Sequence, residues 1–374
     1  MAFCRPRALL PGATIAFVAP ASGLAAFVPH RLEQAKLQLE QRGFVVKVFE
    51  SVTKKPQDNV ATLIEAHATS GKPLDTTLYD ATKPCYGSAD ALTRAQDLMD
   101  AFRDPSVDAI VCTIGGFNSH EILEYLDFDF IRTHPKVFMG FSDITSVHLA
   151  LQSQARMISF YGTSVITGFG EFPAPLTYTM DYFHKAVATA DPIGEVMPSA
   201  EWTDDKTANW FTKADITYQE VMQPNTGFKW LRPGQARGPI LGGCLPVLLN
   251  VRGSKYMPDL QDAILLLEAP EGHQFDQGMA LQDINMVLGA LRIDGTFHKI
   301  KGLVMGRVFK HKSEDVDEIL RLVLYHTRDT SFPILYGVDI GHTNPVMTIP
   351  LGAQVSLDSS TDRFVIEEAG VEVP

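Results

Sequence analysis

Three side chains in this sequence are of the types that together turn a serine hydroxyl into a nucleophile. Ser142 stands in Gly140-Phe-Ser-Asp143, Glu268 closes Leu265-Leu-Leu-Glu268, and His342 follows Gly341 in Asp339-Ile-Gly-His342. A serine hydroxyl is a weak nucleophile until a base takes its proton, and an imidazole serves as that base when a carboxylate fixes its orientation. The amide of Asp143, with that of Gly116 in the Gly115-Gly116 pair, is a candidate donor to an oxyanion. Taken alone, the Gly-x-Ser turn is also what an ordinary helix cap looks like, so the chemistry depends on what positions it.

Each of the three residues falls at or just past the end of an expected strand. Asp108 to Ile114 is a nearly continuous apolar run that leads into Gly115-Gly116, and Lys136 to Met139 is a strand that ends in the Ser142 turn. Ile144, Val147 and Leu151 support a helix after that turn, whose amino end favours developing negative charge. Ala263 to Leu267 is a buried strand ending at Glu268, and Ile334 to Ile340 precedes Gly341-His342.

Upstream, Thr14 to Ala19 and Phe44 to Phe49 are strands separated by a helix carrying Leu32, Ala35 and Leu39. Ser88 is placed to cap a helix with Leu92, Ala95, Met99 and Phe102 on one face, and Ser119 a short one through Leu126. Strand and helix alternation predicts a doubly wound parallel sheet of the flavodoxin or Rossmann type, with functional loops at the carboxyl ends of its strands. Residues 1–165 form this nucleophile domain. The segment 166–238 has weak periodicity and reads as a connection that also contacts substrate. Residues 239–374 form a smaller α/β domain with mixed or antiparallel strands, carrying Glu268 and His342; within it Gly242 to Val251 reads as helical.

Composition narrows the function class. Across 374 residues, 32 basic and 44 acidic side chains leave a net charge of −12, which disfavours a nucleic-acid polymer or an anionic membrane as partner and favours a small molecule or peptide. The four cysteines, Cys4, Cys85, Cys112 and Cys244, show no C-x-x-C spacing, so neither zinc site nor disulfide framework is expected, and a reducing, cytoplasmic setting follows. Arg5 and Arg7 precede an apolar stretch that resembles a signal peptide, but Pro11, Gly12, Pro20 and Gly23 interrupt it and favour a first strand.

Other motifs carry less. His120-Glu121 opens like the zinc helix H-E-x-x-H, yet position 124 is Glu. No G-x-G-x-x-G follows a strand, so no dinucleotide is expected, and no metal or other cofactor is needed. Cys244 reads as a small buried hydrophobe and His148 as a packing residue with satisfied nitrogens.

The motifs quoted so far, together with Gly12-Ala-Thr-Ile-Ala-Phe-Val-Ala-Pro-Ala-Ser22, Thr113-Ile-Gly-Gly-Phe-Asn-Ser119 and Gly242-Gly-Cys-Leu245, resemble the LD-carboxypeptidase family of serine peptidases over nearly the whole chain. The resemblance implies that Ser142 is the nucleophile, His342 the base and Glu268 its orienting acid, and it implies a homodimer. One branch of that family releases terminal D-Ala from murein tetrapeptides and carries Gly-Gly-Tyr-Gly-x-x-Arg before the nucleophile. Here Asn118 and Glu121 replace the third glycine and the arginine, which argues against recognition of a peptide carboxylate there. Glu201-Trp-Thr-Asp204 and Asn225-Thr-Gly-Phe-Lys-Trp230 instead look like the microcin C immunity branch, whose members cut the amide-type link between an aminoacyl group and a nucleotide moiety. On that reading Gly115 and Asn118 contact substrate, Trp202, Phe228 or Trp230 stacks a base unless it is packing, and Glu271 meets a substrate amine. The rival of another class is a binding protein that keeps the cleft without turnover.

Overall fold

In the computed structural model, residues 3–54, 87–205, 208–272 and 276–373 are described. Cys85 lies outside them. Five strands, β1 (Thr14–Val18), β2 (Val45–Val48), β3 (Ala109–Cys112), β4 (Val137–Gly140) and β5 (Ser159–Tyr161), run parallel in the order 2-1-3-4-5. The sheet is doubly wound, as the alternation predicts, and its order is the flavodoxin-like one of the two types expected. All four residues of β3 and of β4 are buried because helices cover both faces of the sheet, so these strands read as unbroken apolar runs rather than alternating ones.

A second sheet follows. Its centre is β10 (Gln235–Cys244), β11 (Ile264–Glu268), β12 (Gly302–Gly306) and β13 (Ile334–Val338), all parallel. Antiparallel strands flank that centre: β9 (Lys229–Arg232) beside β13, and β15 (Gln354–Asp358), β16 (Arg363–Ile366) and β6 (Gly194–Glu195) in succession beyond β10. The sheet is therefore mixed, as expected. Late in the chain, β14 (Ile349–Leu351) leaves it and pairs antiparallel with β5, adding a sixth strand to the first sheet. That pairing brings the β13 to β14 connection, with His342 in it, across to the end of β5.

Three local expectations are corrected. Residues 242–244 are not helical: they end β10, with Gly242 opposite Leu266 and Cys244 opposite Glu268, and the helix is only Leu248–Val251. A short apolar run fits either element, and pairing with β11 decides it. Ser88 is not a helix cap. Its hydroxyl donates to the Ala19 carbonyl at 2.7 Å, while Asp90 caps the helix Ala91–Arg103 by accepting from Thr93 N at 2.8 Å. Ser119 lies inside a 3-10 helix, Ser119–Tyr125, whose cap is Asn118. The segment 166–238 is also more ordered than its periodicity implied, with a helix at Thr177–Val187 and the short pair β7 (Glu201–Trp202) and β8 (Gln223–Pro224).

Candidate active site

The end of β4 turns sharply, and Ser142 takes φ +60°, a left-handed conformation unusual for a residue with a Cβ. The turn lifts its hydroxyl off the sheet as the chain enters the helix Thr145–Ala150. Glu268 arrives from the last position of β11, and His342 from the connection after β13. Ser142 Oγ lies 3.1 Å from His342 Nε2, and His342 Nδ1 donates to Glu268 Oε2 at 2.8 Å. Residues far apart in sequence thus form one hydrogen-bonded row, with Glu268 and His342 buried.

Burial by itself would push the Glu268 carboxyl up. The charge His342 carries when protonated, with hydrogen bonds from His342, Tyr161 and Cys244, outweighs it and holds Glu268 below the usual carboxylate range. Glu268 therefore stays ionised, as an acid that orients a base must. A second carboxylate reaches the same imidazole: Glu271 Oε2 is 3.2 Å from His342 Nε2, on a side chain one-third exposed.

The loop from Gly115 to Ser119 lies against the Ser142 turn. A Cβ on Gly115 would sit 2.9 Å from Ser142 Cβ and 3.1 Å from Asp143 N, so only glycine lets this loop approach. Gly116 backs onto Ser22 on its other side. The Asp143 side chain fastens the arrangement by accepting from Asn118 N at 3.0 Å and Ser119 N at 2.8 Å, while the Ser119 hydroxyl donates back to the Asp143 carbonyl. Burial pushes the Asp143 carboxyl up despite these donors.

The buried Arg94 guanidinium supports the loop from behind, donating to the carbonyls of Ala89, Pro20 and Asn118 and pairing with Glu121. Glu121 is thus charge-compensated. Its repulsion of a substrate carboxylate is therefore weakened, while no arginine stands at that position to bind one.

The remaining sequence candidates divide. Trp202 is half-buried with the Arg307 guanidinium stacked 4.5 Å from its ring centre, and the next residue, Thr203, exchanges backbone hydrogen bonds with Asn344, two residues beyond His342. Phe228 packs against the second sheet's core, and Trp230 does so while its indole N–H donates to Asp362 at 2.7 Å. Cys244 is buried at the end of β10 beside Glu268, its thiol pushed far up by burial first and by Glu268 next. His148 is buried with both ring nitrogens bonded, to Ser159 Oγ and the Gly140 carbonyl, as its reading as a packing residue required.

Three participants carried no local signal. Tyr161 is an ordinary strand residue in sequence, Arg94 one of many arginines on a helix, and the Asp143 carboxylate becomes meaningful only once the loops meet.

Residues 15–162 match the N-terminal domain of LD-carboxypeptidase, Peptidase S66, and residues 237–357 match its C-terminal domain. The chain belongs to the LD-carboxypeptidase family. Among relatives, a Vibrio cholerae protein named provisionally as a carboxypeptidase is 30% identical over 370 residues, covering 98% of each chain. The microcin C7 self-immunity protein MccF of Escherichia coli is 28% identical over 76% of this chain and 80% of its own. A Bacillus subtilis protein named provisionally as a murein peptide carboxypeptidase is 27% identical over 98% of this chain and 95% of its own. The solved structure of wild-type MccF superposes with a TM-score of 0.82 at 24% identity, covering 99% of this chain and all of that one. An MccF-like protein from Streptococcus pneumoniae, in complex with AMP, gives 0.77 at 27% identity, with 96% and 99% covered. Among the described residues no helix is long and apolar enough to cross a membrane.

Proposed function

We propose that this LD-carboxypeptidase family member is a serine-type amide hydrolase in which Ser142, His342 and Glu268 form the charge relay, acting on a small aminoacyl-nucleotide-type conjugate. The observation that carries the proposal is the unbroken row from Ser142 Oγ through His342 to Glu268, at 3.1 Å and 2.8 Å. His342 Nε2 takes the hydroxyl proton as Ser142 Oγ bonds to the amide carbonyl carbon, and Glu268 holds the resulting imidazolium. His342 then returns that proton to the leaving nitrogen as the C–N bond breaks. Water, deprotonated by His342 Nε2, then bonds to the acyl carbon; the bond from that carbon to Ser142 Oγ breaks, and His342 returns the proton to Oγ. The Asp143 amide, with Gly116, is the candidate oxyanion site. The Ser142 amide already donates to Tyr161, which supports assigning that task to its neighbour.

The nucleotide-type leaving group is supported by the relatives: structures of MccF-like proteins hold AMP, and MccF itself holds aspartyl sulfamoyl adenosine. Trp202, stacked on one side by Arg307 and next to Thr203, which pairs with Asn344 beyond His342, is our candidate to stack a base, and Gly115, Asn118 and Glu271 are our candidates to contact the acyl group. Release of D-Ala from a murein tetrapeptide is a second reading, supported by one observation: Arg94 pairs with Glu121 and offsets its charge. The test is mass-spectrometric product analysis of the protein and of Ser142→Ala on an aminoacyl sulfamoyl adenosine and on an LD-tetrapeptide. Cleavage of the nucleoside conjugate that vanishes in the variant supports the first reading, and D-Ala release supports the second. Neither product, with no covalent labelling of Ser142 by a fluorophosphonate, would leave a ligand-binding protein. Homodimerisation, residence in the cytoplasm and division at residues 165 and 238 belong to the same proposal; light scattering, fractionation and limited proteolysis test them.

A further inference from the structure

The phenol of Tyr161 lies behind the relay and touches it at both ends. It stands at the last position of β5 in the first sheet, fully buried, and its hydroxyl donates to Glu268 Oε1, in the second sheet, at 2.6 Å. The same oxygen accepts from the Ser142 backbone N–H at 3.1 Å. A phenol has one proton to give. The Ser142 amide can only donate and the ionised Glu268 can only accept, so both directions are forced: the proton goes to Glu268 and a lone pair faces Ser142. Glu268 Oε2 meanwhile receives His342 Nδ1, so each carboxylate oxygen has its own donor.

We infer that Tyr161 is a positioning residue of the relay, a hydrogen-bonded strut that fixes the Ser142 turn against Glu268 and draws negative charge from the carboxylate that faces His342. The inference rests on the proposed roles of Ser142, His342 and Glu268.

Two consequences follow. The strained Ser142 turn has its amide satisfied by a side chain of the neighbouring strand β5, so removing the phenol oxygen takes away its acceptor and lets Ser142 drift. The carboxylate, with one donor fewer, concentrates its charge on the imidazole, which then holds its proton to higher pH.

The experiment compares wild type, Tyr161→Phe and a protein carrying 2,3-difluorotyrosine at position 161 by amber suppression, on whichever substrate the product analysis identifies. For Tyr161→Phe we expect kcat to fall about 10- to 100-fold with KM within about twofold, and the acid limb of the kcat profile to move up by about half a pH unit. Difluorotyrosine keeps the shape and donates more strongly, so its acid limb should move the opposite way. This second variant keeps the test decisive if the phenylalanine protein folds poorly. An acid limb unmoved in the difluorotyrosine protein, or a kcat loss in Tyr161→Phe that merely tracks a lower unfolding temperature, overturns the inference. Loss of all turnover is expected only for Ser142→Ala; if that variant stays active, the relay reading itself has failed, and that outcome is distinct from an unchanged Tyr161→Phe.

Discussion

Glu271 Oε2 approaches His342 Nε2 to 3.2 Å, and Ser142 Oγ approaches the same nitrogen to 3.1 Å. The two contacts favour different protonation states. A neutral imidazole offers Nε2 as a lone pair, which welcomes the serine O–H and repels a carboxylate; an imidazolium offers an N–H, which both oxygens can accept. Glu271 therefore stabilises the form of His342 that cannot act as a base. Substrate that draws the carboxylate away would release it.

Replacing Glu271 by Gln removes that bias. The acid limb of kcat/KM should move to lower pH, by about 0.2 to 0.7 unit for a partly exposed pair worth under about 1 kcal/mol. A kcat/KM profile from pH 5 to 9 measures it; an unmoved limb would show that solvent already separates the two groups. If Glu271 also meets a substrate amine, KM rises in the same variant.

Gly115→Ala should damage activity more than stability. The added methyl would sit 2.9 Å from Ser142 Cβ and 3.1 Å from Ser142 Oγ, displacing that hydroxyl rather than a core residue. We expect kcat to drop about 100-fold, the scale of a misplacement near 1 Å. The unfolding temperature and the fluorophosphonate labelling rate together separate this from general unfolding. Gly341→Ala is the harsher change, since φ is +92° and the new Cβ would meet Glu268 Oε2 at 2.6 Å.

Arg94→Leu should cost about 3 to 5 kcal/mol, because it strips a buried guanidinium from three backbone carbonyls and from Glu121. Glu121→Gln should cost under about 1 kcal/mol, since its carboxylate is partly exposed and the guanidinium keeps its carbonyl partners. Urea unfolding of both variants reads the difference directly. Comparable losses would mean that the ion pair, not the carbonyl contacts, anchors the loop.

His148 gives a pH dependence of stability. Burial, its largest influence, pulls the imidazole from 6.5 down to about 4 although its bond to the Gly140 carbonyl opposes this. The unfolded chain then binds a proton between those values that the native protein does not, so stability falls as pH drops from about 6.5 towards 4, by at most about 1.4 kcal/mol per pH unit. In His148→Gln that component of the slope should vanish, whatever the variant's stability at pH 7. Chemical unfolding at pH 4.5, 5.5 and 7 supplies the slopes, and equal slopes in the two proteins would contradict the assignment.

The doubly wound parallel sheet was legible in the sequence because β1, β3 and β4 are buried on both faces, and two-sided burial writes itself as a continuous apolar run; the order 2-1-3-4-5 was not, since it depends on which strands pair. Ser142, Glu268 and His342 were legible for a related reason: strand ends next to glycines are where a sheet can present a side chain free of its own ladder. Gly242 to Cys244 was misread since three small or apolar residues have no period, and only the opposing β11 makes them a strand. The role given to Glu121 was misread since charge at one position says nothing about the partner that arrives from another helix.

The sequence by itself determined most of the element types, the doubly wound first sheet and the candidate nucleophile, acid and base, all of which depend on local apolar pattern and residue chemistry. Only the tertiary structure decided that Tyr161 joins Ser142 to Glu268, that Arg94 neutralises Glu121 and that Glu271 competes for His342. Those relations join residues from separate strands and loops across two sheets. Hydrogen bonds and ion pairs are set by a few tenths of an ångström in space, a quantity that spacing along the chain does not encode.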